Sequence, residues 1–209
     1  MRFGLVLAGL LLAAAPIGAQ RNGVQLDVNA SSANALTEGP VVTTSGLLAD
    51  QSSREILQAG FVTQVTYRLE LWRKGGLFYD IDARSEWMVR IQFDPHDELY
   101  HVVRIQGNQL EDFGGFATVT TAEAQFGRAY RARIHPNRSG RFYYNLVVEV
   151  QPLLESDLDA VQQWLKGSSS PAKSTAVESI RDGLGRLMSR VIGGDKKRYE
   201  ARSGVFTVP

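Results

Sequence analysis

Between residues 61 and 150, apolar and polar side chains alternate with a period of two. In 61–73, Phe61, Val65, Tyr67, Leu69 and Leu71 hold one parity, and Gln64, Thr66, Arg68 and Glu70 hold the other. In 77–93, Leu77, Tyr79, Ile81, Trp87, Val89, Ile91 and Phe93 alternate with Asp80, Asp82, Arg84, Glu86, Arg90 and Gln92. Successive strand residues point to opposite sides, so each run predicts a strand with one dry and one wet face. That habit is antiparallel, because parallel strands covered on both faces read as unbroken apolar runs. Gly75-Gly76 marks the hairpin turn between them. A strict two-residue loop there sets Lys74 against Leu77 and Leu71 against Asp80, a core residue opposite a solvent one. A three-residue loop, or a bulge beside a glycine, is the expected remedy.

The same logic extends along the chain. Asp94-Pro95-His96-Asp97 has turn chemistry. The strand after it alternates Leu99, His101, Val103 and Ile105 with Tyr100, Val102, Arg104 and Gln106. The odd set reads as the inward one, which places His101 toward the core. A second hairpin is expected across Pro136–Gly140, joining Tyr130, Ala132 and Ile134 to Phe142, Tyr144, Leu146, Val148 and Val150. Short strands are expected at Val24–Val28 and Val41–Thr44. Two short helices fit between: one from a Ser52 or Ser53 cap to Gln58 before Gly60, one from a Thr120 or Thr121 cap to Phe126 before Gly127. Ser156 opens a third, with Leu154, Leu158, Val161 and Leu165 on one stripe.

Residues 167–173 begin Gly-Ser-Ser-Ser-Pro and read as a linker. An amphipathic helix follows over 174–192, with Val177, Ile180, Leu184, Leu187 and Val191 as its apolar stripe. Such a stripe must be covered, by its own domain or by a partner, and these five residues are the candidate partner-binding set. Residues 193–209 read as a tail carrying a terminal strand at Val205–Val208. Residues 1–19 combine Met1-Arg2, an apolar run and Ile17-Gly18-Ala19 before Gln20, the pattern of a secretory signal peptide. The run is shorter than the ~20 residues of a membrane span. The expectation is export, periplasmic or secreted after cleavage, with no transmembrane segment in the mature chain.

Composition narrows the chemistry. Of 209 residues, 23 are Lys or Arg, 22 are Asp or Glu, and none is Cys. Cleavage removes Arg2 and leaves 22 basic against 22 acidic residues, so nothing steers the chain toward nucleic acid. Thiol chemistry and attachment of lipid through a cysteine are excluded. No Gly-x-Ser-x-Gly elbow, phosphate loop, dinucleotide fingerprint or His-Glu-x-x-His occurs. Asp80 and Asp82 are accounted for by their shared wet face. His96 and His101 lie near Asp94, Asp97 and Glu98. An inward His101 beside solvated carboxylates argues against a metal site, and no catalytic, metal or cofactor residue is assigned. Arg131, Arg133, Arg138 and Arg141 crowd the second hairpin and are the candidate anion-binding set.

The stretch from Glu55 to Trp72 carries a short helix, a glycine and then a long alternating strand ending in Leu-Trp. Phe78-Tyr79-Asp80 and a return strand with Tyr100 follow. Over roughly residues 22–165, this resembles a bacterial exported family, the domain of unknown function numbered 4390. The resemblance implies a signal-bearing β-rich domain and supplies no functional residues.

Together these features predict a mainly β fold. It is an antiparallel β-sandwich over 20–166, of immunoglobulin-like or C2-like kind, with short connecting helices and a C-terminal helix. A barrel is the alternative closure. The expected role is a non-enzymatic envelope domain for protein interaction or assembly. A binder of an apolar or anionic small ligand between the sheets comes second, and a hydrolase third.

Overall fold

The computed structural model describes residues 24–30, 35–75, 78–153 and 196–209. The signal segment, the helix expected from Ser156, the linker and the helix over 174–192 lie outside the described residues. The described elements in order are β1 (Gln25–Asn29), β2 (Val41–Ser45), α1 (Gln51–Gln58), β3 (Val62–Gly75), β4 (Phe78–Asp94) and β5 (Leu99–Gln106). Then come β6 (Gln109–Phe116), α2 (Val119–Phe126), β7 (Tyr130–Arg131), β8 (Gly140–Leu153), β9 (Lys197–Arg202) and β10 (Phe206–Val208).

The strands form an antiparallel β-sandwich of two unequal sheets. The large sheet runs β10-β8-β3-β4-β5-β6, with β9 also on the free edge of β8; the small one runs β1-β2-β7. Period-two alternation explains the packing. Val65, Tyr67, Leu69 and Leu71 of β3 face the core with Trp87, Val89 and Ile91 of β4 and Phe142, Tyr144, Leu146 and Val148 of β8. Leu26, Val28 and Val42 close it from the small sheet. Each such side chain, fully buried, contributes roughly 1.5–3 kcal/mol from the apolar surface it removes from water. Tyr67 stacks on Trp87 at 5.0 Å, and its hydroxyl meets Thr44 Oγ1 at 3.1 Å, so one residue ties the two layers. No helix among the described residues is long and apolar enough to cross a membrane.

The expected register correction between β3 and β4 occurs, but away from the turn. Gly75 pairs with Phe78, and the ladder runs out of phase as far as Trp72 with Ile81. Leu71 then pairs with Ala83, leaving Asp82 as the extra residue of a bulge. The bulge lies well inside the strands rather than beside a glycine. One consequence corrects the parity reading: Ile81 opposes Trp72 on the outer face and is 43% exposed.

β5 is inverted relative to expectation. The turn over 95–98 leaves Asp94 paired with Leu99, so odd residues of β4 face even residues of β5. Tyr100 and Val102 are therefore the buried pair, and His101 lies on the outer face. The second hairpin is also corrected. β7 is two residues long and pairs with β2, while Ile134 lies beyond it in the shared core, its carbonyl accepting from the Tyr144 hydroxyl at 3.1 Å.

The expected tail contributes two strands. β9 pairs along Asn145–Val150 and β10 along Gly140–Phe142 of β8. Between them Ser203 closes the edge: its amide donates to Tyr144 O at 2.9 Å, and its Oγ accepts from Tyr144 N at 2.8 Å. Ala201, Phe206 and Val208 join the core. The terminal strand expected at Val205–Val208 is β10. β6 was not anticipated, since Leu110, Glu111, Asp112 and Phe113 do not alternate and two glycines follow.

Both helices start earlier than expected. Asp50 caps α1, accepting from Ser53 N at 3.0 Å and Ser53 Oγ at 2.8 Å, and Gly60 at φ +84° ends the turn. Thr118 caps α2 in a reciprocal capping box with Thr121. The carbonyl of Gly127 accepts from Thr44 N at 3.0 Å, binding the end of α2 to β2.

Candidate functional site

The outer face of the large sheet carries side chains that its wet parity does not demand. Trp72 of β3 pairs with Ile81 of β4 on one side and Tyr143 of β8 on the other, giving an apolar row across three strands. Trp72 and Tyr143 lie nearly parallel, 6.3 Å apart, and the Arg202 guanidinium of β9 sits 4.9 Å over the Tyr143 ring. Glu70 fixes the indole, accepting from Trp72 Nε1 at 3.0 Å, and is itself paired with Arg68 at 3.3 Å and Arg84 at 3.2 Å. Trp72, Lys74, Tyr143, Arg202 and Val205 line an open concavity of about 480 Å³. Val205, in the loop between β9 and β10, is 48% exposed. Among the described residues the lining has two cations and no acid. Trp72 and Tyr143 were legible as exceptions, since each is an aromatic on the polar parity of its strand. Their alignment with Arg202 and Val205 was not legible, because it depends on the C-terminal strands joining the sheet.

Two of the four candidate anion-binding arginines are paired with carboxylates. Arg131 Nη1 donates to Glu38 at 2.8 Å, and Arg138 pairs with Asp82, whose side chain is only 6% exposed. Arg133 and Arg141 are exposed, Arg133 in the loop after β7 and Arg141 in β8. Asp80 pairs across the ladder with Arg73. The short basic run Lys196-Lys197-Arg198 opens β9: Lys196 and Arg198 flank Glu149 at 2.7 and 3.7 Å, and Lys197 reaches Asp50 at 2.6 Å. The candidate partner-binding residues Val177, Ile180, Leu184, Leu187 and Val191 fall outside the described residues.

At the turn between β4 and β5, the inverted parity brings His101 to the carboxylates. Asp94, Asp97 and His101 present one ligand atom each, all within 4.8 Å of one another. His135 Nδ1, by contrast, lies 3.1 Å from the carbonyl of Pro136.

The buried titratable groups serve the framework. Burial pushes the Tyr67 and Tyr144 hydroxyls well above the usual phenol range. Burial also raises the Glu123 carboxyl, against the amides of Leu47, Leu48 and Gly46, which favour its ionised form. Arg104 lies on the inward parity of β5, held 4.6 Å from the Tyr130 ring and 4.8 Å from the Phe113 ring, with Glu111 at 3.2 Å. Phe113 is the extra residue of a bulge in β6, which aims its ring at that cation.

No protein-family model matches this chain, no curated protein matches it in sequence, and no solved structure matches it.

Proposed function

We propose that the chain is an exported, non-enzymatic domain for protein interaction or assembly in the cell envelope. The observation that carries this reading is the outer-face row of Ile81, Trp72 and Tyr143, bordered by Arg202, Lys74 and Val205. Trp, Tyr and Arg together in a concave, partly desolvated patch are the residues that dominate interface energies. Its two cations, Lys74 and Arg202, favour a partner segment that places an apolar side chain between carboxylates. The address pattern of residues 1–19 and the resemblance to the exported family support an envelope location for it.

Two features support this reading over a small ligand between the sheets or a hydrolase. The space between the layers is occupied by fully buried Tyr67, Tyr144, Phe142, Leu69, Leu71 and Leu146. The buried Tyr67, Tyr144 and Glu123 are engaged by a hydroxyl or by backbone groups of the fold itself.

The test is photo-crosslinking in cells with a probe at Val205, Ile81 or Leu187, and at exposed Leu110 of β6 as control. A discrete adduct at Val205 and Ile81 that disappears with Lys74→Glu and Arg202→Glu is expected. An adduct at Leu187 as well extends the interface to the amphipathic segment. Adducts equal at Leu110, or unmoved by the charge reversals, overturn the reading.

A further inference from the structure

We propose that Asp94, Asp97 and His101 form a binding site for one divalent transition-metal ion of the zinc class. The sequence-based objection was an inward His101, and the inverted register of β5 removes it: the imidazole shares the outer face with the turn carboxylates. Its Nε2 lies 2.8 Å from Asp97 Oδ2. An ion entering the site replaces that hydrogen bond and draws in Asp94.

The ligand positions are held before any ion arrives. Asp94 is the last residue of β4 and pairs with Leu99, while His101 is paired on both sides, with Gln92 and with Gly115. Asp97 uses its Oδ1 to accept from Leu99 N at 2.9 Å, which turns Oδ2 to the imidazole. Asp94 uses its Oδ1 in the same way, accepting from His96 N at 2.8 Å. Each carboxylate thus anchors itself through one oxygen and retains the other as a ligand.

Two further observations concern space. A Cβ on Gly115 would lie 2.7 Å from Leu99 Cδ1 and 3.3 Å from His101 Cε1, so glycine there leaves the imidazole its place. Gln92, Phe93, Asp94, Pro95, His96 and His101 line an open concavity of about 470 Å³, so two of the three ligands, Asp94 and His101, border open space. One imidazole with two carboxylates suits zinc and its first-row neighbours; calcium and magnesium prefer oxygen throughout. With three protein ligands, a coordination position stays open to solvent.

The experiment titrates the full chain, freed of metal by a chelator, with Zn²⁺ and separately with Ca²⁺ by calorimetry. One Zn²⁺ per chain is expected, with binding weakened at least about tenfold by His101→Gln and by Asp97→Asn. His135→Gln should leave it unchanged. Zn²⁺ should raise the Tm of the parent chain and not that of His101→Gln. All variants are surface changes, and equal metal-free Tm values verify their folding; Asp94→Asn replaces any variant whose metal-free Tm falls. Absence of saturable Zn²⁺ binding, binding indifferent to His101 and Asp97, or a preference for Ca²⁺ overturns the proposal.

Discussion

Glu123 is a carboxylate with 9% of its surface exposed, set against the turn that follows β2. Leu47 N donates to its Oε1 at 2.5 Å. Glu123→Ala leaves buried backbone amides without an acceptor, at about 1–3 kcal/mol; urea unfolding of the two proteins measures it. The pH dependence follows from the direction of the shift. Burial raises the folded-state value above the unfolded one, so the native chain retains this proton over a window where the unfolded chain has lost it. Glu123 therefore contributes most below the ordinary glutamate value, and that contribution is lost as pH rises through the raised one. Glu123→Gln should flatten this segment of the stability–pH curve. Asp50 behaves oppositely. Burial opposes its ionisation, but hydrogen bonds from Lys197 and Ser53 outweigh that and hold it below the usual carboxylate range. Its contribution is present at neutral pH and lost as pH falls through that lowered value.

Among the elements, the long strands were legible and their relative phases were not. β3, β4 and β8 alternate over a dozen or more residues, and a face buried along that length fixes secondary structure on its own. The inversion of β5 came from the length of the 95–98 turn, and the outward Ile81 from an extra Asp82. Neither has a composition signal: any single residue can be the one left unpaired. β6 was illegible because an exposed edge strand needs no dry face. β7 was misread because Tyr130 and Ile134 bear apolar side chains whichever sheet they serve. At the junction of α2 and β2, a Cβ on Gly127 would lie 2.2 Å from Thr44 O. Gly127→Ala should push α2 off β2 and break the 3.0 Å hydrogen bond between Thr44 N and Gly127 O. We expect a loss of about 1–3 kcal/mol, as for other forced overpacking, read by thermal unfolding.

At the scale of the molecule, the sandwich is closed by its last residues. β9 and β10 cover the free edge of β8, and Phe206 packs at 5.4 Å from Tyr144 and 6.1 Å from Phe142. A chain ending at residue 195 should lose cooperative unfolding and aggregate through the bared edge. Phe206→Ala should cost about 3 kcal/mol, the lower end for an aromatic core truncation, while Thr207→Ala, on the opposite parity, should be nearly neutral. Denaturant midpoints with unchanged slopes decide this. A C-terminal deletion is accordingly a poor probe of the amphipathic segment, because it also removes two strands. The same strands complete the outer surface: Arg202 and Val205 reach Trp72 and Tyr143 only because β9 and β10 lie beside β8.

What the sequence determined by itself was class and face. Period-two alternation is a local property, so the antiparallel strands, the dry set of β3 and β8, and the aromatics Trp72 and Tyr143 on the wrong parity could be read residue by residue. Tertiary structure decided everything that depends on phase between segments: the outward His101 beside Asp94 and Asp97, the outward Ile81, the pairing of β7 with β2, and the recruitment of 197–208 to the sheet. A strand turns its whole pattern over when one residue is added to a turn or a bulge. The free energy that chooses between the two phases comes from the far side of the core, which no window along the chain contains.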